Sequence, residues 1–164
     1  MGLDSYLHRK TYVQNWEHYS EKRRHEVVVK RGGEVVPHIK IENVSYIIES
    51  VGYWRKFHSL HTWFINNTGS DDQQDDCKDR WVTIENLREL NEILKGVIET
   101  PFDDEGNPLD KEDIEIELGF VAEDDWNYLN KCKETIKLLD QLISEHDSAV
   151  ANGYDLDYTY RGSW

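Results

Sequence analysis

Gly52-Tyr53-Trp54-Arg55-Lys56-Phe57-His58-Ser59-Leu60-His61-Thr62-Trp63-Phe64 is the stretch on which the fold turns. Wound at 100° per residue, Tyr53, Phe57, Leu60 and Phe64 share one stripe, and Trp54, His58, His61 and Ile65 a second beside it. The spacing predicts a helix over about residues 52–66, with the first stripe in the core and a chemically rich face next to it. Arg55 and Thr62 flank His58, and Lys56 lies close to Trp63.

Upstream, residues 1–7 read as a short strand, and residues 8–25 as a polar, basic and aromatic excursion (Tyr12, Trp16, Tyr19) with some helix. Two β-branched runs flank Gly32-Gly33 in residues 26–36, the signature of a hairpin. Ile39, Ile41 and Val44 extend its second strand, and Tyr46, Ile47 and Ile48 lead towards the helix. Downstream comes a Gly- and Asp-rich loop, residues 66–79, then a strand end at Trp81-Val82 and a helix capped by Thr83. That helix carries Ile84, Leu87, Leu90, Leu94 and Val97, and Pro101 stops it. Ile114, Ile116, Leu118 and Phe120 alternate with polar residues or Gly119, which predicts a half-buried strand. The longest helix spans about 124–146, with Leu129, Cys132, Ile136, Leu139 and Ile143 inward, and residues 154–164 form a last, aromatic strand. This order predicts one α+β domain over residues 1–164: a small, mainly antiparallel sheet with about three helices on one face.

The 164 residues suffice for one core, and 19 aromatic side chains compensate for a modest 38% apolar content. The net charge of −14 is unevenly spread. Residues 1–56 hold ten Lys+Arg against seven Asp+Glu, whereas residues 57–164 hold nine against twenty-six. So acidic a remainder argues against direct nucleic-acid binding, and no apolar run reaches membrane-spanning length. There is no signal-peptide core at the start, and Tyr6 stands where myristoylation wants Ser or Thr. Cys77 and Cys132 lie far apart and read as reduced thiols of a cytosolic protein.

Met1–Asp4, Gly52–Lys56, His61–Phe64, Asp76-Cys77 and the aromatic run Tyr158–Trp164 recur together elsewhere. On these residues the chain resembles a family of small proteins encoded by tailed bacteriophages and prophages. Gly162 departs from the pattern, which has a second Ser there. The resemblance implies expression in a host bacterial cytoplasm, and such families often counter host defence or redirect metabolism. It implies no particular activity.

The candidate ligand-binding set is Trp54, Arg55, Lys56, His58, His61 and Trp63, joined by Tyr160 and Arg161 of the last strand. Arg and Lys supply charge-assisted hydrogen bonds to phosphate or carboxylate, and Trp and His supply faces on which a base stacks. The plainer alternative puts Trp54 and Trp63 in the core, pairs the cations with nearby acids, and makes the last strand an edge capped by Trp164. Metal binding is not expected. His58 and His61 stand at i, i+3, but no HExxH accompanies them, and Asp71, Asp72, Asp75 and Asp76 lack EF-hand order. No cofactor motif is present: GxxxxGK[ST], GxGxxG and GxSxG are all missing. Cys77 with His58 is the one nucleophile pair to consider.

Three functions fit. The first is a non-catalytic binder that sequesters an anionic, nucleotide-derived small molecule. The second is an acidic inhibitor that imitates nucleic acid towards a basic host enzyme, through residues 103–105, 110–117 and 123–125. The third is a small nucleotide-processing enzyme with His58 or His61 as general acid or base. The exposed aromatics also allow a homo-oligomer.

Overall fold

The computed structural model describes residues 2–69, 77–105, 107–108, 111–123 and 125–164. Among these described residues six strands and four helices follow in order: β1 (Asp4–Tyr12), β2 (Lys30–Arg31), β3 (Glu34–Val35), β4 (Tyr46–Arg55), α1 (His58–Asn67), β5 (Arg80–Val82), α2 (Ile84–Glu99), α3 (Lys111–Leu118), α4 (Tyr128–Ala151) and β6 (Leu156–Ser163). The main sheet has the order β4-β1-β6-β5 and is antiparallel throughout. Its two middle strands thus come from opposite ends of the sequence. β2 and β3 form the separate hairpin at Gly32-Gly33. Short 3-10 turns occupy Glu21–Arg23 and Ile41–Asn43, so Ile39 to Val44 do not extend a strand.

The opening stretch divides where a helix was expected. Gly52 to Arg55 is the end of β4, and α1 begins only at His58. Burial explains this: Gly52 and Trp54 face inward while Tyr53 and Arg55 are exposed, a period of two. Lys56 then adopts φ 52°, a left-handed kink that ends the strand. From Phe57 the period becomes helical, with Leu60, His61, Trp63 and Phe64 buried. Both Ser59 N and Ser59 Oγ donate to Glu123 Oε1 at 2.6 Å, pinning the first turn of α1.

One face of the sheet is covered and one is open. Leu7, Trp54, Tyr158 and Tyr160 join Leu60, Phe64, Leu87, Leu90, Leu94, Cys132 and Leu139 of the helices in the core. Thr83 closes a capping box with Asn86, and α2 lies along α4 through Asn91 Nδ2 donating to Asp140 Oδ1 at 2.7 Å and the ion pair Arg88–Asp147. Residues 111–118 are a helix where alternation predicted a strand. Ile114 and Leu118 stand four apart and face α2, where a Cβ on Gly96 would meet Leu118 at 3.1 Å, while Ile116 is exposed. Glu112 and Asp113 in the first turn suit the helix dipole. The last helix also lies a turn later than read, with Tyr128, Cys132, Thr135, Leu139 and Leu142 as its buried seam.

Gly162 acquires a reason. A Cβ there would lie 2.4 Å from His61 Cε1, so the ring fills the place of a side chain. Gly162→Ser should lower stability by about 1–3 kcal/mol, the usual cost of overpacking, read as an earlier urea midpoint. In a His61→Ala background that penalty should largely vanish, and an undiminished penalty would refute the steric cause.

Candidate anion-binding cleft

Among the described residues, the predicted site residues divide between the core and the surface. Trp54 is only 8% exposed, and its Nε1 donates to Thr135 Oγ1 at 2.8 Å. Trp63 packs edge-on against Phe64 in the core. Neither indole offers a face to a ligand, and the plainer reading of both holds. His61 is 5% exposed, with Nδ1 2.8 Å from the Tyr160 hydroxyl, which lies 2.9 Å from Ser5 Oγ. Tyr160 itself stacks on Phe64 at 4.0 Å. His61 and Tyr160 are therefore brought together, as buried structural partners. His58 is exposed and stacks on Trp164. Lys56 spends its backbone on the kink, its N–H donating to Leu3 O at 2.7 Å, and its stem lies against Gly2. Arg55 and Arg161 stand on the open sheet face, beside Asp4 and Tyr6.

Trp54 and Arg55 do border a groove of about 300 Å³ between the free edge of β4 and α4, with Phe57, Thr135 and Leu138. Its other cation is engaged: Lys131 Nζ donates to Lys56 O at 2.7 Å and pairs with Asp125, whose carboxyl it holds below the ordinary range. This groove is a poor phosphate site. Of the two thiols, Cys77 is half-buried and Cys132 is buried. Burial pushes Cys132 up to about 12, which leaves it inert. Among the described residues no three His, Cys, Asp or Glu side chains gather for a metal, and Asp71, Asp72, Asp75 and Asp76 lie outside the described residues.

A second cationic and aromatic concentration forms a better site. The chain after β1 loops through residues 12–25 and closes against the turn that follows α4. The cleft between them measures about 300 Å³. Lys22, Arg23 and Arg24 supply three cations to its lining, and Tyr12, Tyr19 and Tyr154 supply rings; Asp155 is the single carboxylate. Local bonds fix this wall. Asn15 clamps His25 through both backbone groups at 2.8 Å. Arg24 Nε donates to Tyr19 O at 3.1 Å, and the Arg23 guanidinium lies 4.6 Å over the Tyr19 ring. The facing turn is set by Gly153, at φ 84°, whose N–H caps Val150 O while Tyr154 N caps Ala149 O. Those caps occupy helix-end carbonyls that would otherwise repel an anion.

His25 is the telling member. Its ring stands 5.9 Å from that of Tyr154, and its Nδ1 is buried with no hydrogen-bond partner in the protein. A buried polar atom left so costs free energy unless a ligand or water completes it. Cations for an acid group, phenol rings for a planar ring and one unmet imidazole nitrogen make this cleft suited to an anionic, ring-bearing molecule. Its lining holds no serine, threonine or cysteine nucleophile.

Sequence reasoning did not single out residues 12–25, although Lys22-Arg23-Arg24-His25 stands there beside Tyr12 and Tyr19. What no local reading supplies is the wall at Gly153–Asp155. Comparison with models of protein families, with curated proteins and with solved structures finds no match to this chain.

Trp54→Ala should then cost about 3–5 kcal/mol of stability, and Arg55→Ala should stay within about 0.5 kcal/mol, both by urea unfolding. A well-folded Trp54→Ala protein would contradict the core placement.

Proposed function

We propose that the protein is a non-catalytic binder of an anionic, ring-bearing small molecule of the nucleotide class, held in the cleft between residues 12–25 and the turn after α4. The observation that carries this reading is the joint lining of Lys22, Arg23, Arg24 and three tyrosines around the unpartnered His25 Nδ1. The cations neutralise the phosphate, a tyrosine ring stacks the base, and His25 hydrogen-bonds a polar edge. The lining offers cations and rings for binding, and the reading is sequestration. In the phage setting that the sequence resemblance suggests, the molecule bound is a host nucleotide, withdrawn from signalling or metabolism.

Titration calorimetry with nucleoside mono- to triphosphates and with inorganic phosphate tests this. Binding should weaken about 10- to 150-fold in Arg23→Ala and in His25→Ala, the loss of one charge-assisted or buried hydrogen bond at about 1.5–3 kcal/mol. Trp164→Ala, remote from the cleft, should leave it unchanged. Failure of the whole panel to bind, or equal affinity in the cleft variants, overturns the reading.

A second reading, an acidic inhibitor of a basic host enzyme, rests on Ile116 and Trp126. Both are about 80% exposed; Ile116 stands between Glu115 and Glu117 of α3, and Trp126 follows Asp125 in sequence. An exposed tryptophan is the kind of side chain that anchors an interface, and the acids would attract a cationic partner. Such a complex should weaken steeply with salt.

A further inference from the structure

Among the described residues, the sheet order leaves β4 hydrogen-bonded on one side only, to β1. Its free edge runs ten residues without proline or lysine, the residues that commonly blunt such edges. Tyr46 to Ser50 are all exposed, as is Tyr53, and Ile48 reaches 59%. This edge lies apart from the cleft cations and extends beyond the proposed ligand reading.

The outward backbone groups can be assigned from the two ends of the β1 ladder. Val13 N donates to Ser45 O at 3.0 Å, and Lys56 N to Leu3 O at 2.7 Å. Antiparallel pairing alternates from each end, so Ile47, Glu49, Gly52 and Trp54 address β1. Tyr46, Ile48, Tyr53 and Arg55 then present N–H and C=O to the outside. The register shift opposite Leu7/His8 absorbs one extra residue of β4 and reconciles the two ends. Side chains follow the same division. Glu49, bonded to Arg9, and Trp54 lie on the helix side, whereas Tyr46 touches Tyr12 and Tyr53 touches Tyr6 on the open face.

We propose that a second copy of this chain adds to this edge, β4 against β4, antiparallel about a two-fold axis between Ser50 and Val51, to give one continuous eight-stranded sheet. The edge is complementary to itself in this register. Tyr46 falls opposite Arg55, Ile47 opposite Trp54, Ile48 opposite Tyr53 and Glu49 opposite Gly52. In every pair both side chains lie on the same face, a match that the extra residue at the bulge makes possible. The pairs Tyr46/Arg55 and Ile48/Tyr53 join residues whose backbone groups point outward, so each exchanges hydrogen bonds, and the two-fold repeats both pairs. No like charges meet. Glu49 and Arg55 are the only charged residues of β4, and Glu49 faces a glycine, which leaves its bond to Arg9 intact. The groove beside the edge, with Trp54, Phe57 and Leu138, receives Ile47 of the second copy and adds apolar burial that strand pairing alone lacks.

Sedimentation velocity on the full chain should give twice the 19.4 kDa monomer mass, with association tightening as salt screens the net negative charge. Ile48→Pro removes an N–H that the isolated fold does not use, so it should give a monomer with unchanged circular dichroism. Amide exchange on the unmodified protein is the second readout, should that variant misfold. Tyr46, Ile48, Tyr53 and Arg55 amides should be protected at high protein concentration and exchange freely on dilution, while Ile47 and Trp54 stay protected throughout. A 19.4 kDa species at the highest soluble concentration overturns the proposal. So does a dimer that survives Ile48→Pro, or fast exchange at Ile48 and Tyr53 within a dimer.

Discussion

The pairing of β1 with β6 is the contact on which the remainder of the molecule depends. It joins Asp4 to Ser163 and Thr11 to Leu156, so nearly the whole chain is spanned by one ladder. Closing so long a loop is entropically slow and costly, and the return comes from what the ladder brings together. Ser5, Tyr160 and His61 meet in a buried hydrogen-bonded row, and Gly162 leaves the space that the His61 ring occupies. The same ladder sets the cleft. Tyr12 N donates to Asp155 O at 3.1 Å just past the last ladder pair, and from that bond the basic loop departs on one side while the turn after α4 arrives on the other. Fold and candidate site therefore share one anchor.

Much of the architecture was legible because it is written in local periodicity. Thr83 as a cap, the α2 stripe from Leu87 to Val97, the Gly32-Gly33 turn and the aromatic last strand all follow from neighbours in sequence. Where two periods compete, the reading failed in both directions. Tyr53 and Phe57 are four apart and look helical, yet Trp54 and Gly52 pack inward with a period of two. Ile114, Ile116 and Leu118 look like a strand, yet only Ile114 is fully buried, and Glu-rich sequence favours a helix once one face finds α2. Tertiary packing settled each case, and nothing within the segments encodes it.

The candidate site shows the same limit. A run of tryptophans, histidines and cations is ambiguous in one dimension, since strand alternation sends Trp54 inward and Arg55 outward. Chemistry that looked concentrated is divided by the backbone. The converse holds at residues 12–25, where a composition without clear periodicity folds into a wall because Asn15 and His25 clamp it. One wall of the cleft comes from residues 152–155, and that union exists only because β1 and β6 are partners.

Charge gives the last step. A chain of net −14 repels anions at long range, so a cleft that attracts one must work within a Debye length, about 8 Å at physiological salt. Lys22, Arg23 and Arg24 meet that requirement with little local opposition. Asp155 is the one carboxylate of the lining, and Glu21 approaches Arg24 only at 3.9 Å in an exposed pair of small worth. The opposite arrangement prevails in the groove at Trp54, where Asp125 and the Lys56 carbonyl already satisfy Lys131. In the cleft Arg24 is likewise partly spent on the fold, through Tyr19 O and Glu17 O, which leaves Lys22 and Arg23 as its cations beside His25, whose buried Nδ1 has no hydrogen-bond partner in the protein.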